Sequence, residues 1–117
     1  MIKNKTGVWG EIYAARYLRD NGYEVIERNF VSRFGELDLV SAKDGIYCVT
    51  EVKTRNIKSE ISPKEAVDKG KRERLETATK SFFAYAKITG RIRFDVCEVF
   101  VDDKNNLVRI NYIENAF

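Results

Sequence analysis

Residues 36–42 and 46–52 form two strand-like, largely apolar runs separated only by Lys43-Asp44-Gly45, which leaves this part of the chain little choice of local fold. Asp-Gly suits the two central positions of a type I′ turn, whose twist matches that of the strands it joins. A tight β-hairpin is therefore predicted, with Lys43 opposite Ile46, and that first pair sets the register of the rest. Asp38 then falls opposite Glu51, and Glu36 opposite Lys53. Because side chains alternate at period two, these four project from one face, while Leu37, Leu39, Cys48, Thr50 and Val52 form a packing surface on the other. Val40, Ala42, Tyr47 and Val49 carry apolar character onto the charged face near the turn, so the charges cluster at one end of a strand pair buried on both sides.

The neighbouring elements follow from periodicity. Thr6 is an N-cap for a helix running to Asp20, with Val8, Ile12, Ala15 and Leu18 at helical spacing and Asn21-Gly22 as its stop. Residues 23–31 suggest a partly exposed strand. After the hairpin a polar stretch, 56–62, leads through Pro63 into a long helix reaching about Lys87, with Ala66, Val67, Leu75, Ala78, Phe82 and Tyr85 as its apolar stripe. Strands at 92–101 and 107–113, joined by a turn at 102–106, complete the order α-β-β-β-α-β-β. With 117 residues, 44% of them hydrophobic, the chain suits one domain spanning 1–117 and one core.

The chain has no histidine, which excludes Ser-His-Asp and Cys-His nucleophilic catalysis, imidazole metal ligands and a histidine general base. Carboxylates, lysine, hydroxyls or a metal must carry any catalysis. Cys48 and Cys97 sit in apolar runs and read as inert buried thiols in a reducing compartment. A polar start, Met1-Ile2-Lys3-Asn4-Lys5, and the absence of any apolar run of membrane-spanning length point to a cytoplasmic protein without a membrane partner. The formal net charge of +3 suits a nucleic-acid partner.

Opposed like charges destabilise a sheet, so Asp38 facing Glu51 calls for a compensating cation, a shifted pKa or a local salt bridge. Directly opposed Cβ atoms lie about 4.5–5.5 Å apart, close enough for two carboxylates to share an ion. Mg²⁺ or Mn²⁺ is the economical answer, since hard cations prefer oxygen ligands. Equally, Glu36, Asp38, Glu51, Lys53 and Arg55 could neutralise one another as a solvated network. Glu11 lies at the edge of the first helix's apolar stripe, where it could point inward as a ligand or keep its head in solvent. Residues 53–80 hold nine basic side chains against five acids; that excess could track a phosphate backbone, or be an ordinary helix face laced by i,i+4 pairs.

Gly10-Glu11, Ala14-Ala15, Tyr17-Leu18, Gly22-Tyr23, Arg28-Asn29, Gly35-Glu36-Leu37-Asp38-Leu39, Glu51-Val52-Lys53-Thr54-Arg55, Lys71 with Arg74-Leu75, and Arg93-Phe94-Asp95-Val96 form an ordered set covering nearly the whole chain. In this set the sequence resembles the YraN-type proteins, a bacterial branch related to PD-(D/E)XK nucleases and archaeal Holliday-junction resolvases. The resemblance implies an α/β, restriction-endonuclease-like three-layer fold with a mixed central sheet flanked by helices. It also implies metal-dependent hydrolysis of phosphodiester bonds in nucleic acid, in DNA rather than RNA and conceivably in branched DNA. Asp38 and Glu51 would match the metal-binding acids, with the Val52 carbonyl as a further ligand, Lys53 the catalytic lysine, and Glu11 the helix-borne acid. Leu37 stands where the strict motif has proline. Arg33, Arg55, Lys71 and Arg74 are the candidates for nucleic-acid contact, and cutting two strands would favour a two-fold homodimer. Two other functions share these residues: a non-catalytic nucleic-acid binding module and a protein-interaction scaffold.

Overall fold

The computed structural model describes residues 5–59 and 69–117. Helix α1 (Lys5–Asp20) is followed by strands β1 (Glu24–Ser32), β2 (Gly35–Lys43) and β3 (Ile46–Asn56), helix α2 (Lys69–Ala86), and strands β4 (Arg91–Val101) and β5 (Leu107–Ile113). The strands form one sheet in the order β1-β2-β3-β4-β5. All neighbours are antiparallel except β3 and β4, which run parallel and are joined through α2. The helices pack on opposite faces of this mixed sheet, giving the expected three layers. The start of the second helix at Pro63, with Ala66 and Val67 of its stripe, lies outside the described residues.

The turns form as the chemistry of their residues requires. Asp44 and Gly45 both take positive φ, 52° and 76°, the type I′ signature, and the hairpin starts with Lys43 opposite Ile46. Helix α1 stops at Gly22 (φ 84°), where the Gly22 N–H donates to the Arg19 carbonyl and the Tyr23 N–H to the Leu18 carbonyl, satisfying two orphan acceptors of the last turn.

Two cores sandwich the sheet. Under α1 lie Ala14, Ala15, Leu18, Leu39, Cys48, Cys97 and Val99; under α2 lie Leu37, Val40, Val49, Ala78 and Phe82. Leu37 and Leu39 were expected on one face, yet they belong to opposite cores. The interruption falls where β1 and β2 skip a pair between Arg28–Leu39 and Phe30–Leu37, and the skipped Asn29 has φ 56°. Left-handed Asn29 interrupts the β1 side of the pairing beside Asp38, the residue that separates the two leucines.

The buried face of α1 also differs from the apolar count. It consists of Gly10, Glu11, Ala14, Ala15 and Leu18, while Val8 is exposed and Ile12 lies on the flank. Small residues face the sheet because the helix approaches it closely: a Cβ built on Gly10 would stand 1.7 Å from Thr54 Oγ1 on β3. On α2, Leu75, Ala78 and Phe82 face inward as expected, but Tyr85 is 73% exposed and meets the Phe30 ring at a tilt. Buried Thr79 takes a place on this face by donating its hydroxyl to the Leu75 carbonyl.

Gly10→Ala should therefore destabilise the fold by about 1–3 kcal/mol despite alanine's better helix propensity, with Thr54→Ala recovering part of the loss, as read from denaturant midpoints. Burial pushes the Cys48 thiol up to about 11 and the Cys97 thiol up to about 12. Both folded values exceed the unfolded value of roughly 8.5, so their contribution to stability is complete below that pH and fades as pH rises toward the folded values. A thiol reagent at neutral pH should accordingly label neither cysteine until denaturant is added; rapid labelling of native protein would contradict their burial.

Candidate metal centre

The β2–β3 ladder runs from Lys43–Ile46 to Leu39–Thr50 and stops there. Beyond it β2 stays with β1, pairing through Glu36 and Gly35, while β3 stays with β4 as far as Asn56–Val101. Asp38 and Glu51 are thus not a ladder pair, nor are Glu36 and Lys53, contrary to the simple extrapolation from the turn. Instead the Val52 N–H donates to Asp38 Oδ2 at 2.9 Å, so a side chain takes the bond that a partner strand would have accepted.

Three carboxylates gather at this fork. Glu11 from α1 and Glu36 and Asp38 from β2 each offer an oxygen, and these atoms lie within 4.8 Å of one another. Glu11 is only 8% exposed, which places it among the inward-facing residues of its helix. Glu36 had been seen only as part of the charged strand face; its position two residues before Asp38 was the available signal.

Glu51 approaches from the α2 side. Its Oε1 accepts from Lys71 Nζ of α2, whereas its buried Oε2 accepts no hydrogen bond among the described residues. Glu36, Asp38 and Glu51 line a common cavity of about 220 Å³ that also takes in Lys71 and Arg74. A buried carboxylate oxygen without a donor is costly, and a cation is the partner an all-oxygen donor set prefers. The residues present therefore fit a hard divalent ion.

The remaining predicted residues spread around this centre. Lys53 and Arg55 follow Glu51 at alternate positions of β3 and are half-buried; neither is among the described residues lining the cavity. Val52 is in register with Cys97 of β4 and presents its N–H to Asp38. Arg33 is exposed at the β1–β2 turn, its guanidinium 4.8 Å from the Phe34 ring centre, and is not among the described residues lining the cavity. No helix among the described residues is long and apolar enough to cross a membrane.

A polar network behind the sheet supports β3 beside Glu51. Thr50 Oγ1 shares a 2.9 Å hydrogen bond with the Tyr112 hydroxyl, which donates to Asp95 Oδ2 at 2.6 Å. Asp95 is wholly buried and also receives the Arg93 guanidinium and the Asn115 N–H. Burial first, and then the bond to Asp95, raise the Tyr112 pKa, so this hydroxyl stays protonated and keeps donating.

A five-strand mixed sheet between two helices, with acids gathered where two strands part, defines an α/β protein with an acidic fork. The chain belongs to the Uncharacterised protein family UPF0102, whose model matches residues 10–99. It is 44% identical to a UPF0102 protein of Syntrophomonas wolfei, over 99% of this chain and the whole of that relative. UPF0102 proteins of Caldicellulosiruptor bescii and Moorella thermoacetica are 36% and 35% identical, each along the entire chain and covering 100% and 98% of the relative.

Asp38→Asn keeps an oxygen for the Val52 N–H and removes a charge from the cluster. It should leave stability in chelator unchanged or slightly raised while abolishing any stabilisation by added Mn²⁺. Asp38→Ala loses the acceptor as well and should cost about 1–3 kcal/mol. Denaturant midpoints in chelator and in Mn²⁺ check both, and a wild-type protein indifferent to Mn²⁺ would argue against an ion at the fork.

Proposed function

We propose that this protein is a metal-dependent nuclease that hydrolyses phosphodiester bonds of nucleic acid, with DNA the preferred substrate. The observation that carries the reading is the convergence of Glu11, Glu36 and Asp38 within 4.8 Å, next to a cavity shared with Glu51 and two cations, Lys71 and Arg74. Acids alone would repel a phosphate, and cations alone would merely bind one.

Glu11, Glu36, Asp38 and Glu51 would hold Mg²⁺ or Mn²⁺, with the Val52 carbonyl as a further ligand; the bound ion would lower the pKa of an attacking water and polarise the phosphate. The protein's own cations act on the charge that grows in the transition state. Lys53, two residues after Glu51 on the same strand face, would stand by the attacked phosphate. Lys71 and Arg74, together on the first turns of α2, would hold the flanking backbone, with Arg55 and Arg33 as more distant phosphate contacts. Cutting both strands of a duplex would call for a two-fold pair of chains.

One observation favours a second reading, a binding module without cleavage: Lys71 already neutralises one oxygen of Glu51. The two readings part in a cleavage assay. Labelled single-stranded, duplex and branched DNA, incubated with Mg²⁺ or Mn²⁺, should be cut by wild type and spared in chelator. Lys53→Ala should retain the fold and the Mn²⁺ response yet lose cleavage by about 100-fold or more. Equal cleavage by Lys53→Ala and wild type would rule out the proposed centre.

A further inference from the structure

A second cavity, of about 570 Å³, opens from the acid cluster along the groove between α1 and β1. It shares Gly35 and Glu36 with the first cavity, and Glu11 stands at its inner end. Gly35 holds φ 144°, and a Cβ built there would meet nothing within 4 Å, so no side chain closes the junction. Gly35 and Glu36 are thus common to the groove on the α1 side and the cleft on the α2 side.

The walls of this groove differ in kind from those of the cleft. Val8 and Ile12 of α1 face Val31 of β1, and Val31 and Val8 are 71% and 44% exposed. Isolated exposed valines need no explanation, but three branched apolar side chains lining one concavity do. Arg28, Asn29 and Ser32 supply the polar rim. The volume lies within the range of ordinary small-ligand sites.

The occupant has to be apolar-faced and uncharged against Val8, Ile12 and Val31, carry hydrogen-bonding edges for Asn29 and Ser32, and be anionic where it nears Arg28. A phosphate alone fails the first condition and a peptide's aliphatic side chain the second. A nucleobase with its own backbone phosphate meets all three. In a continuous duplex the faces of a base are covered by its neighbours, so only an unstacked base has an apolar face to offer.

We propose that the α1–β1 groove receives the unstacked base of a nucleotide adjoining the phosphate at the acid cluster, and that the substrate is therefore nucleic acid with unpaired nucleotides rather than continuous duplex. The proposal rests on the nuclease reading for the place of that phosphate. Asn29, left-handed in the middle of β1, contributes to the rim of the groove.

The test compares labelled oligonucleotides of equal length and charge by fluorescence anisotropy in Ca²⁺: a single strand, the same strand with a run of abasic residues, and a blunt duplex. Wild type should bind the intact single strand about tenfold or more tighter than its abasic counterpart, and Val8→Ser/Val31→Ser should bring that ratio close to one. Equal affinity of wild type for intact and abasic strands overturns the proposal without recourse to any variant, as does preferential binding or cutting of blunt duplex. Concentration-dependent self-association abolished by the double variant would give the groove to a second copy of the chain and would also overturn it. The nuclease reading fails separately: absence of cleavage with Mg²⁺ and Mn²⁺ on every form, with the abasic discrimination intact, would leave a base-binding groove on a protein that does not cut.

Discussion

Between Asp38 and the backbone of Val52 a carboxylate does the work of a missing strand. The β2–β3 ladder ends one residue earlier, and without an acceptor the Val52 N–H would be stranded between two strands moving apart. By taking that bond Asp38 allows the sheet to divide, β2 remaining with β1 and β3 with β4, without an unsatisfied donor. The division brings in the other acids: Glu11 reaches the gap from one face, and Glu51 is held against Lys71 on the other. Had the ladder continued, strand pairing would have closed the gap between β2 and β3 and there would be no cleft.

Concentrating carboxylates in a half-buried fork is unfavourable in itself, since each charge loses hydration and repels its neighbours. The fold offsets this locally. Asp38 is anchored by a backbone donor, Glu51 by Lys71, and β3 beneath them by the Thr50–Tyr112–Asp95 chain. The acids are secured in this way while Glu51 Oε2 has no donor among the described residues, a donor set that suits a cation.

Much of this fold could be read in the residues. Element order, the Asp44-Gly45 turn, the stop of α1 at Gly22 and the two closing strands follow from local chemistry, which is the same in the isolated segment as in the whole. What could not be read depends on contacts between segments distant in sequence. The parting of β2 from β3 is decided by β1 and β4 competing for them, and extrapolation from the turn overshoots by ignoring both. The inward face of α1 is chosen by how closely it can approach Thr54, so Gly10 and Ala14 outrank the larger Val8 and Ile12. The Lys71–Glu51 pair joins a helix to a strand that precedes it by a whole connection, and no spacing announces it. Glu11, by contrast, was legible as an anomaly, a carboxylate where an apolar residue belonged.

The Asp95 network also bears on when the molecule becomes complete. Tyr112 and Asn115, which supply two of the bonds to that buried carboxylate, come after every helix and strand that carries the acids. Without β5, Asp95 would keep its partners Arg93 and Cys48 but lose two bonds, and Thr50 would lack the hydroxyl that steadies it beside Glu51. The support beneath the acids is therefore completed by a strand that contributes no ligand to the centre.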